Sequence, residues 1–297
     1  MTFQEGGSFG GGRVQSRRGG GRGGTRGVAI GGGVGGLGLL VVLAIMLLGG
    51  GPDLGALLGD GGTGEVEDDA TIGECTAEQA NTDRACRLSA TLDSLDTYWA
   101  PTLQAAGVDI PEAAEFESAV STACGQASSS SGPFYCPGDR TIYLDLGFFD
   151  LLTSEFGAQG GPLAEMYVYA HEYGHHIQHA TGVFDDADRG DTGAGSDSVR
   201  VELQADCYAG LWAGHAASTV DPDTGVAYLD PITRAELAQA LDAAAAVGDD
   251  HIQEQSSGGV NPDAWTHGSS EQRERWFLVG YEQGELAACD TFAADPL

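Results

Sequence analysis

The chain has 297 residues, 41% of them hydrophobic, which is enough for one or two domains with a sizeable buried core. All 13 basic residues are Arg, and from residue 51 onward eight Arg stand against 43 Asp and Glu, a formal charge of −35. A field of that sign repels nucleic acid and anionic membrane surfaces, so no nucleic-acid partner is expected.

Residues 1–27 are rich in Gly and Arg, without an apolar period, and are predicted to be a disordered tail. Residues 28–49 carry no charge and end in a run of Leu, Val, Ile and Met, long enough at about 1.5 Å per residue to cross a bilayer core. Arg13, Arg17, Arg18, Arg22 and Arg26 precede that run and no basic residue follows it closely. This asymmetry predicts a single-pass anchor in the cell membrane, with the N-terminus cytoplasmic and the remainder extracytoplasmic. A cleaved signal peptide is the rival reading, disfavoured by the long basic region and the lack of an Ala-x-Ala site. Residues 50–73 read as a flexible acidic linker, leaving 74–292 as the folded domain.

Within that domain, 82–106 has a helical apolar stripe (Leu88, Leu92, Leu95, Trp99) and an expected interruption near Pro101. Residues 113–124 read as a second helix, 132–140 as turns, and 141–146 as a half-buried strand by their alternation. Helices follow at 163–181, 198–217, 233–247 and 270–283, the third opened by the capping box of Thr233 and Glu236. The fold class is therefore α+β, mainly helical with a small sheet, preceded by one transmembrane helix.

The helix at 163–181 carries His171-Glu172-Tyr173-Gly174-His175. Two His four residues apart leave one helical face about a turn apart, close enough to hold one Zn²⁺, and Glu172 between them can act as general base toward a water. A third ligand is needed. Ten residues after His171, where a metzincin has its last His, this chain has Thr181, so that class is excluded. Glu202 is the better candidate, with Asp206 one turn further along accepting the N–H of a ligating His; two carboxylates at that spacing repel unless a cation lies beside them. His176 and His179 read as structural or as supporting groups behind the ligands. For the oxyanion, His267 at a helix start is the candidate, with Arg273 nearby; Tyr143 and Tyr173 are possible donors that spacing does not single out, and His251 is less favoured. Gly174 in mid-helix suggests close packing against another backbone.

Six Cys in an exported domain suggest disulfides. Fifteen pairings exist; Cys75–Cys86 and Cys124–Cys136 are the short ones, leaving Cys207 with Cys289, unless Cys207 is a free buried thiol.

Several blocks together resemble the bacterial neutral zinc metallopeptidase family: Thr122-Ala123-Cys124-Gly125, Gly132 to Pro137, Tyr143-Leu144-Asp145, His171 to Gln178, Glu202 to Cys207, and His267 to Arg273. The resemblance implies a gluzincin-like zincin fold in which the 141–146 strand edges the cleft and aligns an extended peptide. It also implies His171, His175 and Glu202 as zinc ligands and Glu172 as the base. The expected function is a membrane-anchored zinc endopeptidase acting on peptide or protein substrates. A zinc-stabilised binding scaffold without turnover and a zinc amidase on cell-wall peptides are the alternatives.

Overall fold

The computed structural model describes residues 3–18, 70–257 and 259–297. Strand β1 (Ser8–Phe9) pairs antiparallel with β4 (Cys75–Thr76), and β2 (Gln15–Arg18) lies between β3 (Ala70–Thr71), antiparallel, and β5 (Glu112–Glu117), parallel. Residues 3–18 are therefore part of the fold, which corrects the disorder expected there; residues 19–27 of the expected tail lie outside the described residues. Low apolar density hides the reason. Each of the few large apolar groups is buried: Phe3, Phe9 and Val14 are 1%, 3% and 0% exposed. Phe3 meets Phe9 edge-on, Phe9 stacks on Tyr228, and Arg13 binds Asp96 with both Nε (2.6 Å) and Nη2 (3.0 Å).

The pairing bears on topology. Residues 3–18 and the sheet of the main domain form one unit, so any membrane has both on the same side. A single crossing between residues 19 and 69 would separate β2 from β5, so the predicted cytoplasmic tail and extracytoplasmic domain do not accommodate this sheet. No helix among the described residues is long and apolar enough to cross a membrane. The predicted anchor at 28–49, and the linker as far as residue 69, lie outside the described residues; residues 70–71, assigned to that linker, are strand β3.

The main sheet has the order β3-β2-β5-β9-β8, where β8 is Phe134–Cys136 and β9 is Thr141–Leu144. β5 and β9 run parallel, and β8 closes the sheet antiparallel to β9. The helix expected over 113–124 is instead β5, β6 (Ala119–Thr122) and the start of a hairpin to β7 (Gly125–Ser128). Pairing on both flanks buries Ala113, Ala114 and Phe116, and this tertiary gain overrides a weak helical preference.

Helices α1 (Ala77–Thr82) and α2 (Arg84–Ala106) follow β4; the latter is capped by Asp83 and ends at the left-handed Gly107. It passes through Pro101 unbroken, contrary to expectation, with Trp99 and Leu103 buried on either side. Then come α3 (Phe148–Ser154), α4 (Pro162–Ala180), α5 (Val183–Asp186), α6 (Asp197–His215), α7 (Arg234–Ala246), α8 (Asp249–Ser257) and α9 (Ser270–Gln283). α4 is packed among α2, α6 and α7, and α6 lies against α9 at backbone contact. There a Cβ on Gly210 would strike the Phe277 carbonyl, and one on Gly280 the Cys207 carbonyl. Disulfides join Cys75–Cys86, Cys124–Cys136 and Cys207–Cys289, so all six Cys are paired and the last bridge ties α6 to the C-terminal segment.

Candidate metal centre

α4 opens with Pro162 at its first turn, where the missing N–H is harmless, and is buried without a gap from Leu163 to Gln178. Such a helix presents polar groups only to partners inside the protein. Its partner is α6. A Cβ on Gly174 would come within 3.1 Å of Ala205 Cα and O, so the absent side chain lets the two helices cross closely. At that crossing Glu202 faces both histidines: His171 Nε2 is 3.2 Å from Glu202 Oε2, and His175 Nε2 is 3.6 Å from Glu202 Oε1. One donor atom from each of the three lies within 4.8 Å of the others, and all three residues are buried.

The remaining ring nitrogens fix which atoms face the centre. His171 Nδ1 lies 2.7 Å from Asp206 Oδ1; a carboxylate only accepts, so this nitrogen donates. His175 Nδ1 lies 2.8 Å from Gln178 Oε1, whose amide nitrogen donates to the Val201 carbonyl at 2.7 Å and to Gln204 Oε1 at 3.1 Å. Gln178 therefore offers oxygen to His175, and both Nε2 atoms point at Glu202. Two imidazole nitrogens and a carboxylate, each imidazole supported on its far side, form a donor set suited to Zn²⁺.

The charges agree with such a cavity. Burial pulls the His171 pKa down, but the Asp206 and Glu202 carboxylates outweigh it and raise it to about 9. Burial lowers His175 to about 4, so that ring is neutral. For Glu202 the burial penalty is overcome by His175, His267 and His171, and its carboxyl is held well below the usual range.

Glu172 projects beside the centre. Its carboxyl lies close to Tyr135 of β8, burial raises its pKa to about 7, and its Oε2 is buried without a hydrogen-bond partner. A buried acceptor left open at this place fits a proton-accepting role toward a molecule bound between it and the three donors.

Asp206 is fully buried, and its carboxylate takes Arg273 Nε at 2.9 Å and Nη2 at 3.0 Å, with the Tyr167 hydroxyl at 2.6 Å. Arg273 and His171, along with burial, set the Asp206 pKa: burial raises it, the two cations overrule that, and it falls. Arg273 thus acts through Asp206 rather than facing the cleft alone. His267 is 1% exposed on the loop before α9, its Nδ1 2.7 Å from Thr266 Oγ1, and it is near enough to Glu202 to help lower that carboxyl. Asp249 organises this loop: one carboxylate oxygen accepts the backbone N–H groups of Thr266, His267 and Gly268 at 2.7–3.0 Å.

Other candidates lie elsewhere. The Tyr143 hydroxyl donates to Asp139, that of Tyr173 to Asp96, and His251 Nε2 meets the Phe156 carbonyl. His176 and His179 share the Tyr135 hydroxyl at 3.0 and 2.8 Å. Sequence reasoning missed Gln178, Tyr167 and Asp249. Gln178 was legible in part, since it follows His175 by three residues on the same helix. The strand bordering the centre also needs correction: β9 lies inside the sheet, between β5 and β8, and the edge strand is β8, because the chain turns back at Pro137–Arg140 and pairs outside.

A buried His-His-Glu donor set with an open carboxylate beside it, carried on an α+β frame, defines a candidate zinc hydrolase centre. A family profile described as "Putative neutral zinc metallopeptidase" matches residues 2–292, and the chain belongs to that family. It is 50% identical over 227 residues to the uncharacterized protein Rv2575 of Mycobacterium tuberculosis and equally to the uncharacterized protein Mb2605 of Mycobacterium bovis, covering 76% of this chain and 77% of each relative. It is 37% identical over 267 residues to the uncharacterized protein YpfJ of Escherichia coli, covering 86% and 87%. No solved structure matches the chain.

Proposed function

We propose that this protein is a zinc endopeptidase, its metal held by His171, His175 and Glu202. The observation that carries the reading is the convergence of those three residues beside Glu172, whose buried Oε2 has no partner. Bound Zn²⁺ supplies Lewis acidity, polarising a peptide carbonyl and making water acidic near neutral pH. Glu172 takes the proton of the attacking water and returns it to the leaving amine. Asp206 and Gln178 hold the two imidazoles in the tautomer that turns Nε2 inward. His267 donates toward the developing oxyanion, in a loop held by Asp249. An extended substrate runs along β8, the strand whose Tyr135 lies beside Glu172.

The open Glu172 carboxylate disfavours a zinc-stabilised scaffold, which has no use for it. The three disulfides support an oxidising, extracytoplasmic setting, and residues 3–18 belong on that same side. Attachment to the membrane through residues 28–49, from that one side and without a single crossing, is a separate part of the proposal, tested by partition of the full chain into detergent.

The test compares wild type with Glu172→Gln and Glu202→Ala. Wild type is expected to bind one zinc and cleave peptides. Glu172→Gln should keep the zinc and lose at least 100-fold in cleavage, and Glu202→Ala should lose zinc. Cleavage that survives in Glu172→Gln removes the general-base assignment.

A further inference from the structure

Tyr135, in the middle of β8, meets α4 at two levels. Its main chain lies beside Glu172, while its hydroxyl is 3.0 Å from His176 Nδ1 and 2.8 Å from His179 Nδ1. Glu172, His176 and His179 are spaced i, i+4, i+7 and form one face of the helix. The tyrosine side chain therefore runs along α4 from the level of Glu172 to the next turn, about 5.4 Å further on. Alternation along the strand turns Phe134 and Cys136 the other way, where they join Val120 in a small separate cluster.

The protons of this network have one arrangement. His176 Nε2 lies 2.9 Å from the Asp109 carbonyl, which only accepts, so that nitrogen carries hydrogen. The His176 ring is fully buried and bonds to no carboxylate; it is neutral, and its Nδ1 accepts. The Tyr135 hydroxyl gives its single hydrogen to His176 and accepts from His179 Nδ1. Phe184 holds the His179 ring from its own side, stacked at 5.9 Å between centroids with the planes 16° apart. A buried network with its members satisfied fixes one arrangement of the elements that carry it. Phe in place of Tyr135 would fill nearly the same volume, and only the hydroxyl pins the strand at one position along α4.

β8 ends the sheet, and the residues just before it, Ser131 to Pro133, help wall the cavity beside Glu172. Four other segments complete that cavity: α4, α9, and those around α3 and α8. A peptide pairing with β8 takes its register from the strand's own N–H and C=O groups. The position of β8 along α4 then decides which peptide carbonyl stands beside Glu172. We infer that Tyr135 is a positioning residue: through His176 and His179 it sets where β8 lies on α4, and thereby places the substrate backbone against Glu172 and the three donors. This rests on the reading of β8 as the substrate's edge in the function proposed above. A shift of about 1 Å at a reacting centre can cost about 100-fold in rate, so the pin matters to chemistry it never touches.

The test separates the metal from the strand. Zinc-loaded full-length protein is titrated with acetohydroxamate, which reaches only the metal, and with trialanine carrying a hydroxamate at one end or the other, long enough to pair with β8 as well. In wild type the better trialanine compound is expected to bind about 100-fold more tightly than acetohydroxamate. Tyr135→Phe, which removes the hydroxyl alone, should cut that ratio by about 10-fold, with bound zinc and acetohydroxamate affinity unchanged. His179→Leu, at the half-buried end of α4, should do the same. His179→Asn, whose amide N–H can reach the phenol oxygen, should restore the ratio to within about 3-fold of wild type. A ratio that neither Tyr135→Phe nor His179→Leu lowers overturns the assignment, as does a wild-type ratio near 1. Loss of zinc or of acetohydroxamate binding in both variants would mark the network as merely structural and overturn it too. His179→Asn as weak as His179→Leu would show that the hydrogen bond is not the cause. Ratios that behave as expected, with no peptide cleaved by wild type, keep the positioning role and remove the endopeptidase reading.

Discussion

Arg273 and Asp206, 67 residues apart, form a two-point ion pair in the interior, and the same carboxylate oxygen that takes Arg273 Nη2 at 3.0 Å also takes His171 Nδ1 at 2.7 Å. α9 is thereby connected to a candidate zinc ligand on α4 through one residue of α6. Removing one partner of such a pair leaves the other buried and uncompensated, which costs about 3–5 kcal/mol. Arg273→Leu is expected to destabilise the protein by about that much in urea unfolding. In the fraction still folded, zinc affinity should fall by about 10–100-fold, measured by competition with a chelator. Unchanged zinc affinity would mean that Asp206 holds His171 without help.

Gln178 supports the other imidazole and has no charge, so its effect should be smaller. Gln178→Leu removes the acceptor for His175 Nδ1 and leaves the Val201 carbonyl without that donor. Zinc affinity is expected to drop by about 10-fold, with stability reduced by about 1–3 kcal/mol. If the variant binds zinc as well as wild type, His175 is oriented by packing alone.

The N-terminal arm provides a test of fold. Phe9 is buried against Phe3 and Tyr228, so Phe9→Ala should cost about 3–5 kcal/mol. Residues in a disordered tail would give no change in thermal unfolding. On cells whose outer barrier has been opened, added protease should reach an epitope tag placed before residue 3 and the main domain together; protection of one with digestion of the other would separate the arm from its sheet.

Asp93 gives a pH dependence away from the metal centre. Burial and the neighbouring Asp96 raise its pKa from 3.8 to about 7, against the pull of Arg13. The folded state therefore holds a proton that the unfolded state releases above about pH 4. Stability is lost as pH rises from about 4 to 7, by at most about 1.4 kcal/mol per pH unit from this group, and is constant above. Asp93→Asn should remove that slope, making the variant relatively more stable at pH 8 than at pH 4. Parallel pH–stability curves for the two proteins would show that Asp93 ionises freely in the fold.

Much of the helical framework was legible because its signals are local. The boundaries of α4, α6, α7 and α9 fall within a residue or two of those read from apolar periodicity, and Thr233 and Glu236 form their capping box as read. β5 was misread because Ala113, Ala114 and Phe116 fit either period; neighbours on both sides, β2 and β9, decided it. The same dependence on partners moved the cleft edge from β9 to β8.

The sequence by itself determined the chemistry on offer: two His and a Glu at helical spacing on α4, a pair of carboxylates at i, i+4 on α6, and an even number of half-cystines. Those are relations within one turn of helix, which backbone geometry fixes wherever the helix lies. Tertiary structure alone decided that Glu202 meets both His, that Arg273 and Gln178 stand behind the donors, that residues 15–18 join the main sheet, and that five separate segments line one cavity. Each of these joins groups tens of residues apart, and such meetings depend on how whole elements pack, here on a Gly174–Ala205 contact close enough to bring α4 and α6 together.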